Sequence, residues 1–174
     1  AHFGENIFLK NNHTIPFSDA PHELNYNIGL FTLLSKKYGT HLPSFDNESL
    51  FGDDVRYRMC HMIRDFFWYD ENLPASRDKT GFFCCRDAMW YINKKENYSF
   101  AAKGGNNNEP HNHNDLGSFI LYDNGKYIID GLGWPVYEKD YFSPDVRYED
   151  LCASSLGHSV FSFDNKEQIT GDAG

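Results

Sequence analysis

A tight turn between two apolar runs constrains this chain more than any other feature. Ser118 to Tyr122 alternates in the manner of a strand, Asp123-Asn124-Gly125 follows, and a second apolar run ends at Asp130. Asn-Gly between such runs is the strongest short-range signal for a β-hairpin, because both central residues tolerate positive φ. Histidines bracket the hairpin. His111 and His113 occupy alternate positions in the Asn-rich loop before it, and His158 follows Asp130 by twenty-eight residues.

Side chains repeat every two residues along an extended backbone, so His111 and His113 share a side if this edge is extended. Pro110 favours an extended Glu109 before it. Taken singly, Asp130 reads as a turn residue before Gly131, and His158 as a half-buried histidine with a local partner. Together, two histidines and a strand-end aspartate form a plausible facial set for a divalent metal with one position open. Asp115 follows the pair closely and is expected to orient a ligand or cap the loop.

The period of the sequence changes along the chain. Residues 1–20 have no clear repeat. Ser18-Asp19-Ala20-Pro21 reads as a helix start, with Leu24, Ile28, Phe31 and Leu34 or Tyr38 at helical spacing and Gly39 as the stop. A second helix is predicted from about Asp53 to Tyr69, with Val55, Met59, Met62 and Phe66 on one face and Arg56, Arg58 and Arg64 elsewhere. Phe67, Trp68 and Tyr69 add burial on a further side, as at a contact with another domain. From Leu73 onward the period is two. Phe82–Cys85, Met89–Ile92 and Tyr98–Ala102 read as consecutive antiparallel strands, and His158–Phe163 with a turn at Asp164-Asn165-Lys166 as a last hairpin. The fold class is α+β: helices over residues 1–72, then an antiparallel β-sandwich over residues 73–174.

Composition narrows the partners. The net charge of −9 provides no basic stripe for nucleic acid, and no apolar run is long enough to span a membrane. Fifteen Phe and eleven Tyr supply a core and, in a β-rich chain, also suit a sugar-binding surface. Cys60, Cys84, Cys85 and Cys152 lack CxxC spacing, so buried free thiols are expected. The absence of an initiator Met, and an end just after a predicted strand, suggest a piece of a longer protein.

Residues 99–171, from SFAAKGGNNNEPHNHNDLGSF through YIIDGLG to SSLGHSVFSF, resemble the heparinase II/III-like family of polysaccharide and oligosaccharide lyases. The resemblance implies the terminal helices of an (α/α) toroid followed by an incomplete antiparallel β-sandwich, with the active site in the cleft between toroid and sandwich. It implies a zinc ion on His113, Asp130 and His158, with His111 at the reaction centre. The implied reaction is β-elimination at a uronate, on an acidic polysaccharide or oligosaccharide, with heparan-type, alginate and other uronates all open. The principal Tyr and the group that neutralises the substrate carboxylate are expected from the upstream toroid. From the sandwich, Tyr137 is the catalytic candidate, although relatives often carry a Tyr nearer the Asp, where this chain has Trp134. Arg147 and Asn112 are candidates for substrate binding, and an Arg147–Asp150 pair is the alternative for the first. A bacterial periplasm or cell envelope is the implied location, and the sequence does not give the oligomeric state. Two competing readings are a cupin-type metal enzyme, which also uses HxH and a later His, and a non-catalytic sugar-binding sandwich whose metal ties loops together.

Overall fold

The computed structural model describes residues 2–24, 27–42, 59–72 and 79–171. The chain divides into two compact units: Ala1–Thr14 with Glu23–Lys79, and Ile15–His22 with Thr80–Gly174.

The first unit is helical, with α1 (His2–Ile7), α2 (Ile28–Tyr38) and α3 (Met59–Trp68). Asn27 precedes α2, and Gly39 ends it at φ 66°, its N–H on the Ser35 carbonyl at 2.8 Å. A left-handed residue after the last turn is where glycine has no steric penalty. The helix predicted to begin at Ser18 therefore begins ten residues later. Ser18 and Asp19 instead centre a turn closed by the Ala20 N–H on the Phe17 carbonyl at 3.2 Å. Residue types that cap helices also form such turns, because their short polar side chains bond the local backbone in either setting. Residues 53–58 of the second predicted helix, with Val55, Arg56 and Arg58, lie outside the described residues, as does Leu73, where the period was expected to change.

Packing between α2 and α3 requires a glycine. A Cβ on Gly29 would stand 2.5 Å from the Asp65 Cα, and the Gly29 N–H donates to the Asp65 carboxylate at 2.9 Å. Met59, Met62, Phe66 and Phe67 of α3 are exposed. Glu5 of α1 is buried and accepts from Lys79 Nζ and His2 Nδ1, each at 2.8 Å, and from the His41 N–H at 2.6 Å. Burial alone would raise its pKa, but the hydrogen bonds from Lys79, His2 and His41 outweigh burial and lower it to about 2. A carboxyl depressed in the folded state stabilises above its unfolded pKa, and that stability is lost as pH falls through the folded value. Between about pH 4.5 and pH 2 the wild-type melting temperature should therefore fall more steeply than that of Glu5→Gln; superimposable acid limbs would show that Glu5 is not the group responsible.

The second unit is built on one five-stranded antiparallel sheet in sequential order: β1 (Gly81–Cys85), β2 (Trp90–Lys94), β3 (Tyr98–Lys103), β4 (Phe119–Asp123) and β5 (Lys126–Ile129). The Asn-Gly hairpin forms as predicted, with Asn124 at φ 45° and Gly125 at φ 86°. Ile92, Ala101 and Ile120 are paired across β2, β3 and β4 and are buried, which defines the inner face. Residues 15–22 lie against that face, where Phe17 packs edge-on to Trp90 at 4.9 Å between ring centroids. On the other face Phe82, Tyr91, Phe100 and Ile128 are exposed.

Two expectations are corrected here. His158–Phe163 is not a strand, and only a Phe163–Lys166 bridge remains of the last hairpin, around Asp164 and Asn165 at positive φ. His158 instead follows a 3₁₀ turn (Ser155–Gly157), because its ring bonds locally rather than pointing from a ladder. All four cysteines are free, as expected, but none is buried: Cys60 and Cys84 are exposed, and Cys85 and Cys152 are partly so. No helix among the described residues is long and apolar enough to cross a membrane.

Candidate active site

The loop after β3 is irregular rather than extended. The Asn112 N–H bonds the Glu109 carbonyl at 3.2 Å, and His111 has φ 61°. A left-handed histidine costs about 1–2 kcal/mol and persists only where surrounding contacts fix it. Two contacts do so: the His111 carbonyl accepts the Asp19 N–H at 3.3 Å, and its Nδ1 meets Asp19 Oδ2 at 2.9 Å. The kink separates the two histidines, with the His111 side chain 59% exposed and that of His113 0% exposed.

Asp19 is the centre of the cluster. Its Oδ1 meets His113 Nε2 at 2.7 Å and accepts from the Tyr141 hydroxyl at 2.8 Å. Its Oδ2 meets His111 Nδ1 and accepts from Arg147 NH2 at 3.1 Å. Burial would raise this carboxyl, yet the hydrogen bonds from His113, Tyr141, His111 and Arg147 prevail and hold it below the usual carboxylate range. Beneath it Asp115 accepts Lys103 Nζ at 2.5 Å and the Ser18 N–H at 3.2 Å, so it anchors the turn that carries Asp19.

Arg147 and Asn112, the candidates for substrate binding, both have partners within the protein. Arg147 is 6% exposed, bonds Asp19 and the Asn112 carbonyl, and stacks its guanidinium over Tyr141 at 4.5 Å. No pair with Asp150 is needed, because Asp19 already supplies the carboxylate. Asn112 is buried, donating to the Asn107 carbonyl at 2.9 Å and accepting from the Tyr148 hydroxyl at 2.9 Å. Both side chains hold the loop that carries the histidines.

Tyr137 lies at the exposed rim, stacked on Tyr141 at 5.0 Å, with its ring 6.4 Å from that of His111. Burial, reinforced by the Asp19 charge, pushes its phenol up to about 12. Trp134 and Phe142 flank it at 5.9 and 5.0 Å.

The expected metal ligands are only partly assembled. His113 Nδ1 lies 3.2 Å from His158 Nε2, within hydrogen-bond distance. His158 Nε2 also donates to the Cys152 carbonyl at 2.8 Å, so in the neutral ring, which burial favours by lowering its pKa, the lone pair a metal would use lies on Nδ1. Asp130 does not stand with them. Both its oxygens lie 2.9–3.0 Å from Nε2 of His22, whose backbone carbonyl is held by the Tyr127 hydroxyl at 3.0 Å. Among the described residues no three His, Cys, Asp or Glu side chains form a ready metal cage. Each ring keeps one nitrogen lone pair, on Nδ1, that a metal ion could use, while the carboxylate of Asp130 is engaged by His22.

Asp19, His22 and Tyr141 are the residues of this cluster that sequence reasoning missed. Pro21 between the first two was read as helix punctuation; a carboxylate and an imidazole flanking it were the available signal.

The heparinase II/III-like C-terminal family model matches residues 77–173. The chain belongs to that family. Among solved structures it is similar to a heparinase III gene product, with a TM-score of 0.58 and 16% identity over 97% of this chain. It is also similar to the heparan sulfate lyase HepC from Pedobacter heparinus, with a TM-score of 0.59 and 15% identity over 95%. This chain spans 24% and 23% of the lengths of those two proteins. No curated protein matches it.

Proposed function

We propose that this chain supplies part of the active site of a polysaccharide lyase that cleaves uronate-containing glycans by β-elimination. The observation that carries this reading is His111, an exposed imidazole held at Nδ1 by a buried carboxylate, beside the Tyr137 phenol. In the reaction a base removes the proton α to the uronate carboxylate. The C–H electrons form the new double bond, the bond to the glycosidic oxygen breaks, and an acid protonates that oxygen. His111 Nε2, with its lone pair, is the base. Tyr137, raised to about 12, keeps its proton near neutral pH and is the donor. The exposed Trp134, Tyr137 and Phe142 rings offer apolar faces to a sugar. Arg147 is committed elsewhere, so the group that neutralises the substrate carboxylate is expected from the upstream toroid.

Zinc enters as part of the same proposal, on His113, Asp130 and His158. A carboxylate has lone pairs enough to keep the His22 N–H and still bind a metal. Elimination uses no water nucleophile, so the ion would act by tying the loops of the site together. Family membership and the open meander set aside the cupin reading. A bacterial periplasm or cell envelope remains the proposed location.

One similar structure is a heparan sulfate lyase, and a heparan-type polymer is the first substrate to assay. Full-length protein incubated with heparan sulfate, alginate and a neutral glycan should release ultraviolet-absorbing unsaturated product from a uronate polymer only. Residues 1–174 alone should release little, because dividing one set of positioned groups loses most of the benefit of orientation. Silence of the full-length protein on every uronate polymer would favour the non-catalytic sugar-binding reading.

A further inference from the structure

We infer that Asp19 is a positioning residue that fixes which nitrogen of His111 carries the hydrogen, and so makes Nε2 the basic atom presented to substrate. The inference deepens the lyase reading and rests on it. The chemistry of the carboxylate decides the tautomer. An ionised carboxylate only accepts, so an imidazole nitrogen 2.9 Å from Asp19 Oδ2 must carry its hydrogen there. A neutral ring with Nδ1–H has its lone pair on Nε2. The same logic applies at Oδ1, where His113 must carry its hydrogen on Nε2, leaving the Nδ1 lone pair of a neutral ring facing His158.

Asp19 is itself well fixed. Its side chain is 4% exposed, Tyr141 and Arg147 donate to its two oxygens, and its backbone N–H bonds the His111 carbonyl. Movement of the His111 ring away from Oδ2 would abandon a hydrogen bond to a charge while leaving the backbone contact intact. A carboxylate behind an imidazole base has a known scale of effect: substituting its amide in a serine protease leaves the geometry intact, yet stabilises the wrong tautomer and costs about four orders of magnitude in kcat.

The test is Asp19→Asn in the full-length protein, with Asp19→Glu as the conservative variant. Asparagine can donate to Nδ1 and favour Nε2–H, so kcat should fall about 10²-fold or more while KM changes by no more than a few-fold. Asp19→Glu should recover part of the loss. Unchanged kcat in Asp19→Asn, or a loss confined to KM, would overturn the inference. A tautomer measurement on the wild-type protein keeps it open to refutation should either variant fold poorly. Long-range ¹H–¹⁵N spectra of the neutral His111 ring should place its hydrogen on Nδ1, and a hydrogen on Nε2 would refute the inference whatever the assays show. If the wild type forms no unsaturated product, the lyase reading fails, and the spectra decide the placement of the hydrogen independently.

Discussion

Replacing His111 by alanine in the full-length protein is expected to lower kcat by about 10²–10⁴-fold, the usual contribution of a positioned base. Zinc content and melting temperature should stay near wild type. The side chain is 59% exposed and contributes little to the core, so a structural loss on this scale has no source. His113→Ala should behave in the opposite way. That ring is fully buried between Asp19 and His158, and its loss should reduce metal content and stability first, with activity following. Metal analysis, thermal melts and rates on the two variants separate the roles. Loss of zinc in His111→Ala would mean that the two histidines exchange assignments.

The largest stability effect is expected at Asp115. Its side chain and that of Lys103 are 0% and 1% exposed, and their charged atoms are 2.5 Å apart. Asp115→Ala leaves a buried ammonium with the Ser18 hydroxyl at 2.7 Å and a longer approach to Glu109 at 3.7 Å. Breaking one side of a buried pair typically costs about 3–5 kcal/mol, because the remaining charge stays desolvated. Replacing both residues by apolar ones of similar volume should cost much less, since no charge is then stranded. Urea unfolding of the single and double variants reads the difference. A single-variant loss below about 1 kcal/mol would show that water reaches Lys103 more readily than its burial implies.

The sheet was legible because its signals are local. Period-two alternation places β1 to β5, and Asn-Gly takes the positive φ of a tight hairpin at little cost, so neither signal depends on distant residues. The HxH pair was legible as chemistry but not as geometry, since nothing local in the sequence announces that His111 adopts φ 61°. Asp19 was illegible for a different reason. Its type suits a helix cap and a turn equally, and the choice between them is made by Lys103, Asp115 and the histidines, far away in sequence. Arg147 shows the same limit: its type suits a ligand's carboxylate and the protein's own equally, and the Asp19 carboxylate it bonds lies 128 residues away.

Residues 15–22 are synthesised long before the groups they serve. Asp19 waits for His111 across 92 residues, for His113 across 94 and for Arg147 across 128. Each such contact bears the entropy of closing a long loop, so the β-meander with its neighbouring strands has every reason to form first. The cluster around Asp19 then closes as a late event, when an early segment docks onto a sheet made after it. A polypeptide begun at residue 73 would contain every strand found among the described residues and the entire HxH loop. It would still lack the carboxylate both histidines lean on and the Phe17 ring that covers Trp90. The boundary that the sequence suggests for excising a β domain therefore cuts through the site itself.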